Sequence, residues 1–160
     1  GVRVPMIIRW PGQAPTNSVY GKMVSSMDLY PTLIGAAGLQ MANDQPTDGV
    51  DLLPLINGEN ESNPHDWLCW QNRSWLPRKE GGFTVPTPVV HNSAIRKGNW
   101  KLVRLNEKLD SDDRPPAWQL YNLETDIGER NDVAGKHTDI VNELSSLFDS
   151  WRSSMHPSID

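Results

Sequence analysis

The sequence predicts a mixed α/β chain with an α+β C-terminal part: the end of a large mixed sheet, then a small antiparallel sheet packed against a C-terminal helix. Three observations carry this. The chain opens on "GVRVPMIIRWPG" (1–12), a nearly continuous apolar run closed by the turn signal Pro11-Gly12, followed by a loop and a helical pattern. "HNSAIRKGNWKLVRL" (91–105) alternates on both sides of Lys97-Gly98-Asn99, the pattern of a β-hairpin. "HTDIVNELSSLFDSWRSSM" (137–155) repeats its apolar residues with the 3.6-residue period of an amphipathic helix.

Taken in order, the opening run reads as a strand buried on both faces, because it lacks the alternation of a half-exposed one. "SSMDLYPTLIGAAGL" (25–39) reads as a helix with Asp28 as N-cap and Pro31 in the first turn, where a missing N–H is tolerated. Leu29, Leu33, Ile34 and Ala37 form its stripe and Gly38 its stop. "GVDLLPLI" (49–56) reads as a short turn or helix packed through Leu52, Leu53 and Leu55. "DWLCWQ" (66–71) is a short strand. Residues 72–90, with Gly81, Gly82, Pro86 and Pro88, read as a long irregular loop. After the hairpin, the charged run 108–114 reads as a solvated loop, and "AWQLYNL" (117–123) as a further strand. The final helix, capped by Thr138 or Asp139, lays Ile140, Val141, Leu144, Leu147, Phe148, Trp151 and Met155 on that sheet. The expected division is 1–58, a last strand and helix of an α/β core, and 59–160, a small α+β subdomain.

Bulk properties exclude several classes. The 160 residues are 37% hydrophobic and 22% charged, so the composition is that of a folded, non-membrane chain. No apolar run approaches the roughly 18–20 residues of a transmembrane helix. A net charge of −5 without a basic block argues against nucleic acid as a partner. The single cysteine, Cys69, excludes an internal disulfide and a cysteine-cluster zinc site.

Few residues look chemical. A Gly-rich phosphate loop, HExxH, GxSxG and paired histidines at metal spacing are all missing. His65, His137 and His156 are scattered, and a solvated role is expected for each. His91 joins the long loop to the hairpin; it reads either as a half-buried histidine bonded to backbone or as a donor to an anionic or hydroxylated ligand. Arg96, at the hairpin end, can bind an anion or stay exposed. Cys69, between two tryptophans, reads as a buried thiol. Asp126, Glu129 and Asp132 have the spacing of calcium ligands without the full alternation of oxygens, which favours a polar turn. No catalytic and no metal-binding residue is assigned in this chain.

Read in order, the segments "GVRVPMIIRWPG", "SSMDLYPTLIGAAGL", "DGVDLLPLINGE", "AIRKGNWKLVR" and "WQLYNLETDIGERNDVA" resemble the C-terminal third of the formylglycine-dependent sulfatases, of the alkaline phosphatase superfamily. That family shows G-[IV]-R-x-P, S-x-x-D-x-x-P-T-L, D-G-x-S-L-x-P-x-L, R-x-G-x-W-K-L and L-Y-[DN]-L-x-x-D-P-x-E-x-x-N motifs in this order. Asp51 stands where Ser is common, and Ile127 where Pro is usual. The resemblance implies a piece of a longer enzyme whose upstream domain is the partner of this chain and builds the rest of the sheet. It implies hydrolysis of a sulfate ester, in a small molecule or glycan, through a formylglycine made in a C-x-P-S-R motif and a calcium ion. Both belong to the parent enzyme, and none of these groups maps here: Cys69 and Arg73 have the motif's spacing, but Gln71 and Asn72 replace its Pro and Ser. What remains for this portion is the sheet edge and part of the substrate-cleft wall, for which His91, Arg96 and the 72–90 segment are the candidates. Export to periplasm, exterior or lysosome is implied by the resemblance alone. Two other readings stand beside it, a phosphonate or phosphate monoester hydrolase of the same superfamily and a non-catalytic glycan-binding module.

Overall fold

The computed structural model describes residues 3–42, 45–60, 62–80, 83–108 and 116–155, with backbone alone for 73–80, 83–90 and 106–108. The chain divides into two compact units, Gly1–His65 and Asp66–Asp160, where a division after residue 58 was expected.

In the first unit, residues 3–10 form no regular element in place of the expected strand. Val4, Met6, Ile7 and Ile8 are exposed, Ile7 at 93%. An apolar run holds as a strand only where neighbours satisfy its backbone groups and cover its faces. The one sheet among the described residues uses only segments from Trp67 onward. Helix α1 (Leu29–Ala36) follows a 3-10 turn, Ser26–Asp28. The N-cap of that turn is Ser25, not Asp28: Ser25 Oγ accepts from Met27 N, and the Asp28 carboxylate accepts from Ser25 N. Gly38, at φ +69°, ends α1 in a Schellman motif, with Gly38 N donating to Gly35 O and Leu39 N to Ile34 O. The α1 residues that are buried are Pro31 and Thr32, whereas Leu29 and Leu33 of the expected stripe are exposed. A short helix α2 (Leu53–Ile56) follows N-cap Leu52, and Asp51 Oδ1 accepts from Leu53 N at 2.8 Å.

The second unit is a four-stranded antiparallel meander, β1 (Trp67–Glu80), β2 (Phe83–Lys97), β3 (Trp100–Lys108) and β4 (Gln119–Asn122), in that spatial order. The β2–β3 turn places Gly98 at φ +55°, which a Cβ disfavours. Helix α3 (Thr138–Ser154) packs on one face. Its Leu144 and Phe148 close a core with Ile95, Leu102 and Leu120, flanked by Trp67, Cys69, Trp118, Ile140, Val141, Leu147 and Trp151. His137 occupies the N-cap position without a side-chain cap bond, in place of Thr138 or Asp139, and its ring lies 4.9 Å from that of Trp100. His156 and residues 109–115 lie outside the described residues.

The expected irregular loop at 72–90 is instead the outer half of β1 and β2, paired from Trp67↔Lys97 to Glu80↔Phe83 with one register shift between Ser74 and Trp75, with 81–82 outside the described residues. The prolines misled: Pro77 pairs with Pro86 and Trp75 with Pro88. β3 pairs with β2 only as far as Val90↔Lys108. Among the described residues each proline thus sits where its strand has a neighbour on one side only, the setting in which a missing N–H is tolerated.

Candidate functional site

The face of the sheet that carries α3 changes character along the strands. One cross-strand row is Cys69, Ile95, Leu102 and Leu120, all core. The next is Gln71, Ser93 and Arg104, and beyond it on β2 comes His91. Ser93 and Arg104 are buried, and His91 is 2% exposed. Aromatic packing leads into this polar end: the Phe148 ring meets Trp118 edge-on at 5.4 Å, and the Arg104 guanidinium carbon lies 4.4 Å over the Trp118 ring. Such a cation–π contact gives a buried guanidinium part of the stabilisation it loses with water.

His91 sits where register slips. The β2–β3 seam is irregular between His91 and Ser93, and the β1–β2 seam between Ser74 and Trp75. Gln71 Nε2 lies 3.5 Å from His91 Nδ1, a long polar contact. Arg96 is not brought to the same place. It lies on the other face of β2, in a row with Leu68, Lys101 and Tyr121, and its Nε–H donates to Gly98 O at 3.0 Å. Five residues along a strand separate the two by roughly 16 Å.

The candidates for chemistry inside this chain are all otherwise engaged. Burial pushes the Cys69 thiol up to about 12, so it stays protonated and unreactive. The acidic run after β4 builds turns: Asp126 Oδ2 accepts from Arg130 N and Asn131 N, and Asp132 Oδ1 from Leu120 N and Ala134 N. Glu129, at φ +54°, pairs with Lys101 at 2.5 Å. Burial, then the nearby Asp132, Glu129 and Asp126 carboxylates, raise the Tyr121 phenol. Among the described residues no group of three or more His, Cys, Asp or Glu side chains is placed to hold a metal ion.

The first unit holds a cluster that sequence patterning missed. Asp28 is fully buried, and His65, expected in solvent, donates to its carboxylate from Nε2 at 2.8 and 2.9 Å. Val50 N donates to the same carboxylate at 3.0 Å, and Ser25 N at 2.7 Å. One turn on, Thr32 Oγ1 donates to Asp28 O and accepts from Leu52 N. A Cβ on Gly49 would stand 2.1 Å from Met27 O, so only glycine lets the 49–52 segment close on this turn. Nothing local in the sequence marks His65 as the partner of a residue 37 positions earlier.

Both units fall within one match. Residues 1–153 fit the family model described as N-sulphoglucosamine sulphohydrolase, C-terminal. The chain is 38% identical over 177 residues to the steryl-sulfatase of Mus musculus, covering 100% of this chain and 27% of that protein. It is 27% identical to the N-acetylgalactosamine-6-O-sulfatase of Bacteroides thetaiotaomicron, covering 96% of this chain and 28% of that protein. The crystal structure of Ps i-CgsB superposes with a TM-score of 0.62 at 27% identity, over 89% of this chain and 27% of that one. The fold is also that of the phosphonate monoester hydrolase of Agrobacterium radiobacter, at a TM-score of 0.54 and 19% identity, over 83% of this chain and 25% of that one. The chain thus matches the C-terminal part of longer proteins of mixed α/β fold. It belongs to the sulfatase family, and it spans little more than a quarter of the length of the relatives it matches.

Proposed function

We propose that the protein carrying this chain hydrolyses sulfate esters of aryl or carbohydrate type, and that this chain completes its core and lines part of its substrate cleft. The observation that carries the reading is the family match across 1–153. The uncovered apolar side chains of the first unit support it: Val4, Ile7, Leu29 and Leu33 are exposed where a folded enzyme would bury them against a neighbouring sheet. The upstream catalytic domain is that neighbour and the partner of this chain.

Formylglycine and calcium do not fit the residues present. Cys69 is a protonated thiol in a Cys-Trp-Gln-Asn-Arg setting, and the carboxylates after β4 are spent on backbone N–H groups. The nucleophile and metal therefore belong to the remainder of the protein. The β1/β2 hairpin is the portion assigned here to the cleft wall, with His91 at its base and Arg96 as the second candidate contact. The likenesses to a steryl-sulfatase and to an N-acetylgalactosamine-6-O-sulfatase support small-molecule and glycan sulfate esters alike as substrates. Export of the protein goes with this reading.

The complete protein, assayed on 4-nitrophenyl sulfate, a sulfated oligosaccharide and a phenylphosphonate ester, tests it. Sulfate release is expected. Phosphonate cleavage without sulfate release would move the protein to the other branch of its superfamily, which the Agrobacterium radiobacter fold likeness keeps in view. Glycan binding with neither reaction would make it a binding module.

A further inference from the structure

We draw no further inference here: the strongest candidate, the open groove between the β2–β3 turn and helix α3, lined by Lys97, Trp100, Ile140, Glu143 and Leu144, is largely apolar with its two charged side chains paired to each other, and nothing in the structure shows what covers it.

Discussion

Asp28 shows what one buried carboxylate can organise. Four hydrogen bonds from three donors, Ser25 N, Val50 N and His65 Nε2, converge on it, tying three separate chain segments together. Asp28→Ala leaves those donors facing an apolar gap and is expected to cost on the order of 3 kcal/mol, read from the urea midpoint of the complete protein. Gly49→Ala acts on the same place by collision, since its Cβ would stand 2.1 Å from Met27 O; a loss of about 2 kcal/mol or more is expected by the same measurement. Cys69 gives a pH signature. Its folded pKa of about 12 lies above the ordinary 9.0, so the unfolded thiol releases its proton first as pH rises. The thiol's contribution is therefore whole below about pH 9 and lost as pH rises towards 12. Alkylation by iodoacetamide at pH 8 should accordingly be slow in the folded protein and fast in urea.

Elements differ in how far local sequence decides them. α3 is fixed by its own periodicity, and burial falls on Leu144 and Phe148 as the 3.6 period requires. Phe148→Ala empties the centre of that core and is expected to cost about 3–5 kcal/mol. Lys97→Ala, by contrast, removes only an ion pair with Glu143 in which both side chains are about half exposed, and should cost less than about 1 kcal/mol. The β2–β3 hairpin was equally legible, because Gly98 supplies the positive φ its turn needs. Three elements were not. The opening run has strand chemistry but no strand neighbours among the described residues, so periodicity named an element that needs partners to exist. The outer hairpin hides behind Pro77, Pro86 and Pro88, whose tolerance depends on a strand edge that only the register reveals. The Asp28–His65 pair and the Arg104–Trp118 stack join residues distant in sequence, so no local pattern announces them. Of the site candidates, His91 and Arg96 were legible as residue types but not as neighbours, because strand parity and the space between them put them on opposite faces.

At the scale of the whole molecule, the two units differ in how each is held together. The second closes its own core around Phe148, under a sheet whose first two strands are its longest. The first buries Met23 and Leu52 beside the hydrogen bonds around Asp28 and leaves Val4, Ile7, Leu29 and Leu33 uncovered, which is how a surface looks when it is made to be packed against something else. The sulfate-ester hydrolase proposed above accounts for both. The measurement that tests this most directly is sulfate release by the complete protein from 4-nitrophenyl sulfate and a sulfated oligosaccharide, with Cys69→Ala beside it. Sulfate release that survives Cys69→Ala undiminished is the predicted result. Absence of sulfate release from either substrate, or activity abolished by Cys69→Ala in a protein that still folds, would contradict the account.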